Sequence, residues 1–333
     1  MPANPEKLRQ VRDFSTKGIV TSIALNPKKK IAYLGSSDFK VYSVDLTSDK
    51  LEPKELFTHG AWVTGVALLN EGILVSGGYD GKLTWYDLKT NQTIKSEEVH
   101  APRVRSIRTS PNGKQMASVG DDMICRVWDA QGKKIHELKG HAEKTPQGYG
   151  SMLFCVEFSA DGKYLATADK IGKGIVWELE SGKKIAEVEA PIMYTWEATA
   201  RLHSIGGVRS VAFSHDGKTL ALGGTGKIGN IDHLEAKARI ETFEIATQKK
   251  IAEFVSDKGQ GLVNRMFFSK DSSFLIGTGG AGDGFLMVID PTGKKILKQE
   301  KVNFHVHDMA MADDFETFVL VGHNKAAIWE MKG

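Results

Sequence analysis

Histidine, serine and aspartate recur together at two places in this chain: His59, Ser76 and Asp80, then His100, Ser118 and Asp122. These are the residue types of a nucleophilic triad, in which a serine attacks, an imidazole takes its proton and a carboxylate orients the imidazole. The surrounding pattern argues against that chemistry. In both places the order is His, Ser, Asp within one short repeat, and no Gly-x-Ser-x-Gly turn exposes either serine. A second candidate is the stretch LALGGTGKIGNIDHLEAKARIETFEI, Leu220 to Ile245, which is glycine-rich and then charged. A phosphate-binding loop of the Walker type needs glycine, four residues, then Gly-Lys and a hydroxyl residue. Here Gly226-Lys227 is preceded at the needed position by Ala221 and followed by Ile228. Asp232, His233 and Glu235 could ligate a metal but have no companions at recognisable spacing, so neither a metal nor a cofactor is expected.

The elements that must position these residues are repeated. One pattern occurs seven times: VTSIAL from Val20, VTGVAL from Val63, VRSIRT from Val104, LFCVEF from Leu153, VRSVAF from Val208, VNRMFF from Val263 and VHDMAM from Val306. In several units a tight-turn signal such as SPNGK, SADGK or SHDGK comes next, and then a second apolar run, which together predict a β-hairpin. A third strand ends in pairs such as Trp128-Asp129 or Val44-Asp45, and a fourth follows turns rich in lysine, as in KKIHEL and KKIAEV. Four short antiparallel strands at a period of 41 to 55 residues predict propeller blades, since each small sheet buries its faces only by stacking on its neighbours. The expectation is therefore an all-β, seven-bladed propeller of four-stranded blades in a single domain, residues 1–333. Blades begin near 20, 63, 104, 153, 208, 263 and 306, and the N-terminal strand, residues 6–14, completes the last blade and closes the ring.

These repeats resemble the WD-repeat β-propeller family, and their degenerate form and lysine-rich turns suggest a bacterial-type member. The best match is the third unit, with His100 four residues before Val104, Ser118, Asp122 and Trp128-Asp129. The resemblance implies a hydrogen-bonded structural relay through His100, Ser118, Asp122 and Trp128, and through His59, Ser76 and Asp80 in the second unit, where Tyr86 replaces tryptophan. It also implies that the loops joining strands two and three, and those linking successive blades, emerge on one face. Three long excursions are of these kinds, around residues 138–152, 190–207 and 223–240. They carry Tyr149, Tyr194, Trp196, Arg201, His203, Lys227, His233 and Arg239, of which the aromatics and arginines are the types that dominate interface hot spots. These eight are the candidate partner-binding residues, although Tyr194 and Trp196 would equally serve to pin their own loop. The expected function is a non-enzymatic protein–protein interaction scaffold, acting as a monomer or within a larger complex. The alternative is a propeller enzyme or small-ligand binder, of hydrolase or oxidoreductase type, using the mouth of the central channel.

Charge and composition bound the remaining classes. A formal net charge of +3 gives no global field toward nucleic acid or an anionic membrane, and nucleic acid is not an expected partner. Lysines at the turns, including Lys133-Lys134, Lys183-Lys184 and Lys249-Lys250, are not interleaved with aromatics and fit solvated turns. No run is apolar and long enough to span a bilayer, and no signal-peptide core precedes the repeats. With two cysteines in no metal-binding spacing, a reducing, cytoplasmic setting is expected.

Overall fold

A computed structural model describes residues 3–70, 72–198, 203–229 and 234–332. The chain divides into two compact units, residues 1–137 with 307–333, and residues 138–306. Nearly all of the regular structure is β. In the first unit, β1 (Arg9–Asn26), β2 (Ile31–Ser36), β3 (Lys40–Asp45) and β4 (Lys54–Thr58) are successive antiparallel neighbours. Strands β5 (Val63–Leu69), β6 (Ile73–Gly78), β7 (Lys82–Asp87) and β8 (Gln92–Glu98) form one four-stranded sheet. Strands β9 (Val104–Thr109), β10 (Gln115–Gly120), β11 (Cys125–Asp129) and β12 (Lys134–Leu138) form another.

The second unit repeats this plan with β13 (Leu153–Phe158), β14 (Tyr164–Asp169), β15 (Lys173–Glu178) and β16 (Lys184–Glu189). A two-stranded ribbon of β17 (Tyr194–Glu197) and β18 (His203–Gly206) follows. Next come β19 (Ser210–Phe213), β20 (Thr219–Thr225), β21 (Lys237–Glu244) and β22 (Lys250–Gln260). The last sheet of the unit holds β23 (Leu262–Phe268), β24 (Leu275–Gly280), β25 (Gly284–Asp290) and β26 (Lys295–Val302). The chain then returns to the first unit through β27 (Val306–Met311) and β28 (Thr317–Glu330).

The propeller class holds, but the expected seven blades are corrected to six: among the described residues, besides the β17–β18 ribbon, there are five sheets of four strands and one of six, ordered β27-β28-β1-β2-β3-β4. The finding that overturns the count is β1, which runs unbroken for 18 residues. Its first part, Arg9 to Ile19, pairs with β28, and its second, Val20 to Asn26, pairs with β2. The first and last sequence units therefore share one sheet. Between Ser15 and Ile19 the strand shifts register without ending, and Gly18 takes φ +75° there. A glycine in that conformation bends a strand at little steric cost, so no turn separates the two pairings. Counting first-strand motifs cannot detect a strand that serves two partners.

The hairpin turns form as their residues dictate. In the SADGK and SHDGK turns the serine hydroxyl donates to the aspartate two residues on, Ser159 to Asp161 at 2.7 Å and Ser214 to Asp216 at 2.6 Å. The same hydroxyl accepts the backbone N–H of the strand that follows, from Tyr164 and Thr219, both at 2.9 Å. Gly162 and Gly217 supply the left-handed residue, at φ +71° and +70°. Between sheets, apolar side chains interlock. Leu69, Val75, Leu83 and Trp85 meet Val104, Ile107, Met116 and Trp128 in the first unit, with the two indoles edge to face at 5.9 Å. Glycine is required at a close approach of these sheets, since a Cβ at Gly65 would lie 2.7 Å from Ile107. In the second unit Ala221, Ile240 and Phe254 meet Val263, Met266 and Leu275 in the same way. Among the described residues no helix is long and apolar enough to cross a membrane.

Candidate interaction surface

The two His-Ser-Asp sets nominated for chemistry bond within their own repeats, the histidines and serines buried and the aspartates half-buried at the strand ends. In the β9–β12 sheet the register sets Trp128 opposite Met116, two residues from Ser118, so indole and hydroxyl share a face. Trp128 Nε1 donates to Ser118 Oγ at 3.0 Å, Ser118 Oγ lies 2.8 Å from His100 Nε2, and His100 Nδ1 lies 2.8 Å from Asp122 Oδ1. One tautomer satisfies every link: Nδ1–H donates to the carboxylate and Nε2 accepts the serine proton. Burial lowers the His100 pKa from its ordinary 6.5, outweighing the opposite pull of Asp122, so the imidazole is neutral. At Asp122 burial works against ionisation, yet the hydrogen bonds from His100 and Arg126, with the Arg126 charge, outweigh it and hold the carboxyl below its ordinary range. With His100 and Ser118 both fully enclosed, this hydroxyl is not presented to a substrate.

The β5–β8 sheet has a looser version. His59 Nε2 lies 2.6 Å from Ser76 Oγ, while Nδ1 is 3.6 Å from Asp80. Burial lowers the His59 pKa against the pull of Asp80. Tyr86 replaces the indole and stacks on Phe57 at 4.4 Å.

A further relay escaped sequence reasoning. In the β13–β16 sheet, His141 Nδ1 lies 2.8 Å from Asp169 and Nε2 lies 2.8 Å from Thr167 Oγ1, which also accepts from Trp177 Nε1 at 2.9 Å. Threonine stands for serine, and eleven residues rather than three separate the histidine from its first strand. The signal that could have found it is Thr167, Asp169 and Trp177 at the offsets of Ser118, Asp122 and Trp128, within two residues.

The long loops of the second unit are braced to one another. The β17–β18 ribbon pairs Tyr194 with Gly206 and Trp196 with Ser204. On one side Tyr194 Oη donates to Gln147 at 2.6 Å, and Trp196 stacks with Tyr149 at 5.2 Å. On the other side Thr195 Oγ1 accepts the Ile228 N–H at 3.1 Å. Met193, fully buried, anchors the base of the ribbon, and its carbonyl accepts from Gly207 at 2.6 Å. The 138–152 segment closes on itself through Thr145 and Tyr149 at 2.7 Å and Ser151 and Glu143 at 2.8 Å.

The nominated partner-binding residues therefore separate. Tyr149 is 50% exposed, Lys227 is exposed, and Tyr194 and Trp196 are partly buried in the brace. Arg239 turns into its own sheet, bonding Glu241 at 2.7 Å and Glu253 at 2.5 Å with a side chain 12% exposed. His203 opens β18. Arg201 and His233, with Asp232, lie outside the described residues. Ile192, which sequence reasoning did not nominate, is exposed beside the ribbon.

The lysine turns also have internal partners. Lys134, Lys184 and Lys250 each reach a glutamate three residues on, Glu137, Glu187 and Glu253, at 2.8 to 2.9 Å. This recurring Lys-x-x-Glu spacing pairs charges along a fourth strand, at the small gain typical of exposed ion pairs.

Residues 91–129 and 132–173 match the family model described as WD domain, G-beta repeat. Apoptotic protease-activating factor 1 of Rattus norvegicus is 31% identical over 170 residues, 51% of this chain but 13% of that protein. A guanine nucleotide-binding protein subunit beta-like protein of Encephalitozoon cuniculi is 23% identical over 274 residues, covering 78% of this chain and 76% of its own. Small ribosomal subunit protein RACK1 of Caenorhabditis elegans is 27% identical over 186 residues, 54% and 53% of the two chains. The WD-repeat resemblance is thus supported, whereas a bacterial-type origin is not, since these relatives are eukaryotic. Propellers built from such repeats are typically non-enzymatic scaffolds for protein–protein interaction.

Proposed function

We propose that this chain is a non-enzymatic scaffold that docks a partner protein on the braced loops around 138–152, 190–207 and 223–240. The observation that carries the reading is the half-exposed Tyr149 stacked on Trp196, on a ribbon tied at both sides to neighbouring loops. An aromatic held in place before binding loses little rotamer freedom on docking, which is the property of an interface anchor. Exposed Ile192 and Lys227 extend the surface with one apolar and one charged group. Bracing and presentation are compatible here, because Trp196 holds the stack while Tyr149 shows its other side. A cytoplasmic location is part of this proposal, and the two buried free thiols, Cys125 and Cys155, support it.

The test compares proteins captured from source-cell lysate by the wild type, by Tyr149→Ala and by Ile192→Asp, after their thermal midpoints are shown to agree. Loss of the same protein from both variants supports the reading. Identical captured sets across all three would remove these loops as the docking site.

A further inference from the structure

The first unit carries a second aromatic and arginine cluster, on turns with no insertion. Trp62 and Arg103 each stand immediately before a first strand, β5 or β9, and Tyr79 and Asp121 each stand immediately after a second strand, β6 or β10. Equivalent backbone bonds hold both pairs: Tyr79 donates to the Trp62 carbonyl at 2.9 Å, and Asp121 to the Arg103 carbonyl at 3.2 Å. Stacking of the two sheets brings these repeated positions together. The Trp62 ring lies 5.8 Å from Tyr79 and nearly parallel at 13°, while the Arg103 guanidinium lies 4.8 Å from the Tyr79 centroid. Arg105 also approaches that ring, at 5.6 Å.

The charges around this stack are unequally used. Arg105 holds Asp121 through two bonds of 2.5 and 2.9 Å, and Asp122 is held by His100 and Arg126. Asp80 faces His59 and accepts the Lys82 N–H at 3.1 Å. The carboxylates of these turns are therefore engaged within their own sheets. Arg103 is exposed, and among the described residues no carboxylate pairs with it or with the exposed Lys82 side chain. Beside them Trp62 leaves 40% of its surface open.

A guanidinium laid against an aromatic ring keeps its planar fork available for a carboxylate, and stacking lowers the entropy lost when that fork is filled. A polyanion is poorly served, because two available cations stand among three aspartates and give no continuous positive track. We propose that Trp62, Tyr79 and Arg103 form a docking site for an acidic peptide segment of a partner protein. One aspartate or glutamate carboxylate takes Arg103 in bidentate fashion, and a neighbouring large apolar side chain covers Trp62. The proposal rests on the scaffold reading but uses residues that the loop surface does not.

The experiment is fluorescence anisotropy with a labelled peptide of sequence Asp-Phe-Glu-Asp-Phe-Glu and its control Asn-Phe-Gln-Asn-Phe-Gln. Proteins are the wild type, Arg103→Gln, Arg103→Lys, Trp62→Ala and, as a control for the other surface, Tyr149→Ala, each shown to unfold at the same temperature. Expected are saturable, salt-weakened binding of the acidic peptide and a loss of about tenfold or more in Arg103→Gln, the range for a charge-assisted pair. Arg103→Lys restores part of the affinity, Trp62→Ala weakens it, and Tyr149→Ala leaves it unchanged. Equal binding of the amide peptide, wild-type affinity in both Arg103→Gln and Trp62→Ala, or displacement by an oligouridylate that itself depends on Arg103 would overturn the site. Because Tyr149 is varied separately, failure here and failure of the loop surface are told apart.

Discussion

The β9–β12 and β13–β16 sheets meet the same internal requirement with the same kind of relay, yet they differ in how the chain arrives. Three residues link His100 to its first strand, whereas eleven link His141 to its own. Both imidazoles nonetheless bridge a hydroxyl and a carboxylate at 2.8 Å. The relay is therefore set by the sheet and its indole, and the extra residues in the second case are carried outside it. That is how a long loop can acquire a binding surface without disturbing the blade that supports it.

The sharpest way to break the comparison is to remove each histidine. Asp169 is fully buried and its remaining partners are the backbone N–H groups of Ile171 and Lys173, whereas Asp122 is partly exposed and also holds Arg126. His141→Ala is expected to cost about 3–5 kcal/mol, the range for removing one partner of a buried, hydrogen-bonded pair. His100→Ala should cost less, about 1–3 kcal/mol, since Arg126 remains. Urea unfolding midpoints decide this, and an equal loss at both sites would show that Arg126 does not compensate.

A smaller effect is the pH dependence. The folded-state pKa of His100 lies below its ordinary 6.5, chiefly through burial, so an unfolded chain takes up a proton before the folded one does. Stability is fully present above about pH 6.5 and falls as pH drops toward the folded pKa, with the depressed carboxyl of Asp122 continuing the fall in acid. His59, lowered for the same reason, contributes with the same sign. Thermal midpoints measured from pH 7 downward should decline less steeply in His100→Ala than in wild type; parallel slopes would refute this assignment.

The smallest expected stability change concerns the loop itself. Tyr149→Ala should cost only about 0.5–1.5 kcal/mol, the value of an aromatic contact, because the ribbon keeps its bonds through Tyr194 and Thr195. A larger loss would mean that the stack supports the blade as well as presenting a surface.

Much of the architecture can be read from local pattern. The alternation in VRSIRT and the Ser-x-Asp-Gly turns specify hairpins through two-residue periodicity and through side chains that bond their own backbone. The one blade count that failed did so at β1, where nothing local distinguishes an 18-residue strand with two partners from two strands in succession. The candidate surface was legible as residue types and loop lengths. What those residues touch was not: Arg239 stands near Lys227 and His233 in the chain, but Glu241 on its own strand and Glu253 on the next strand claim it. His141 was hidden because its partners are reached across a loop, not at a fixed offset.

By itself, then, the sequence determined the repeated hairpins, their turns and the residue types available for relays and loops, because these depend on neighbours a few positions apart. Tertiary structure alone decided that β1 joins the first and last repeats, that the loop aromatics brace one another, and that Trp62 and Arg103 converge on Tyr79. Each of these follows from strand register and sheet stacking, which bring together residues that no spacing along the chain connects.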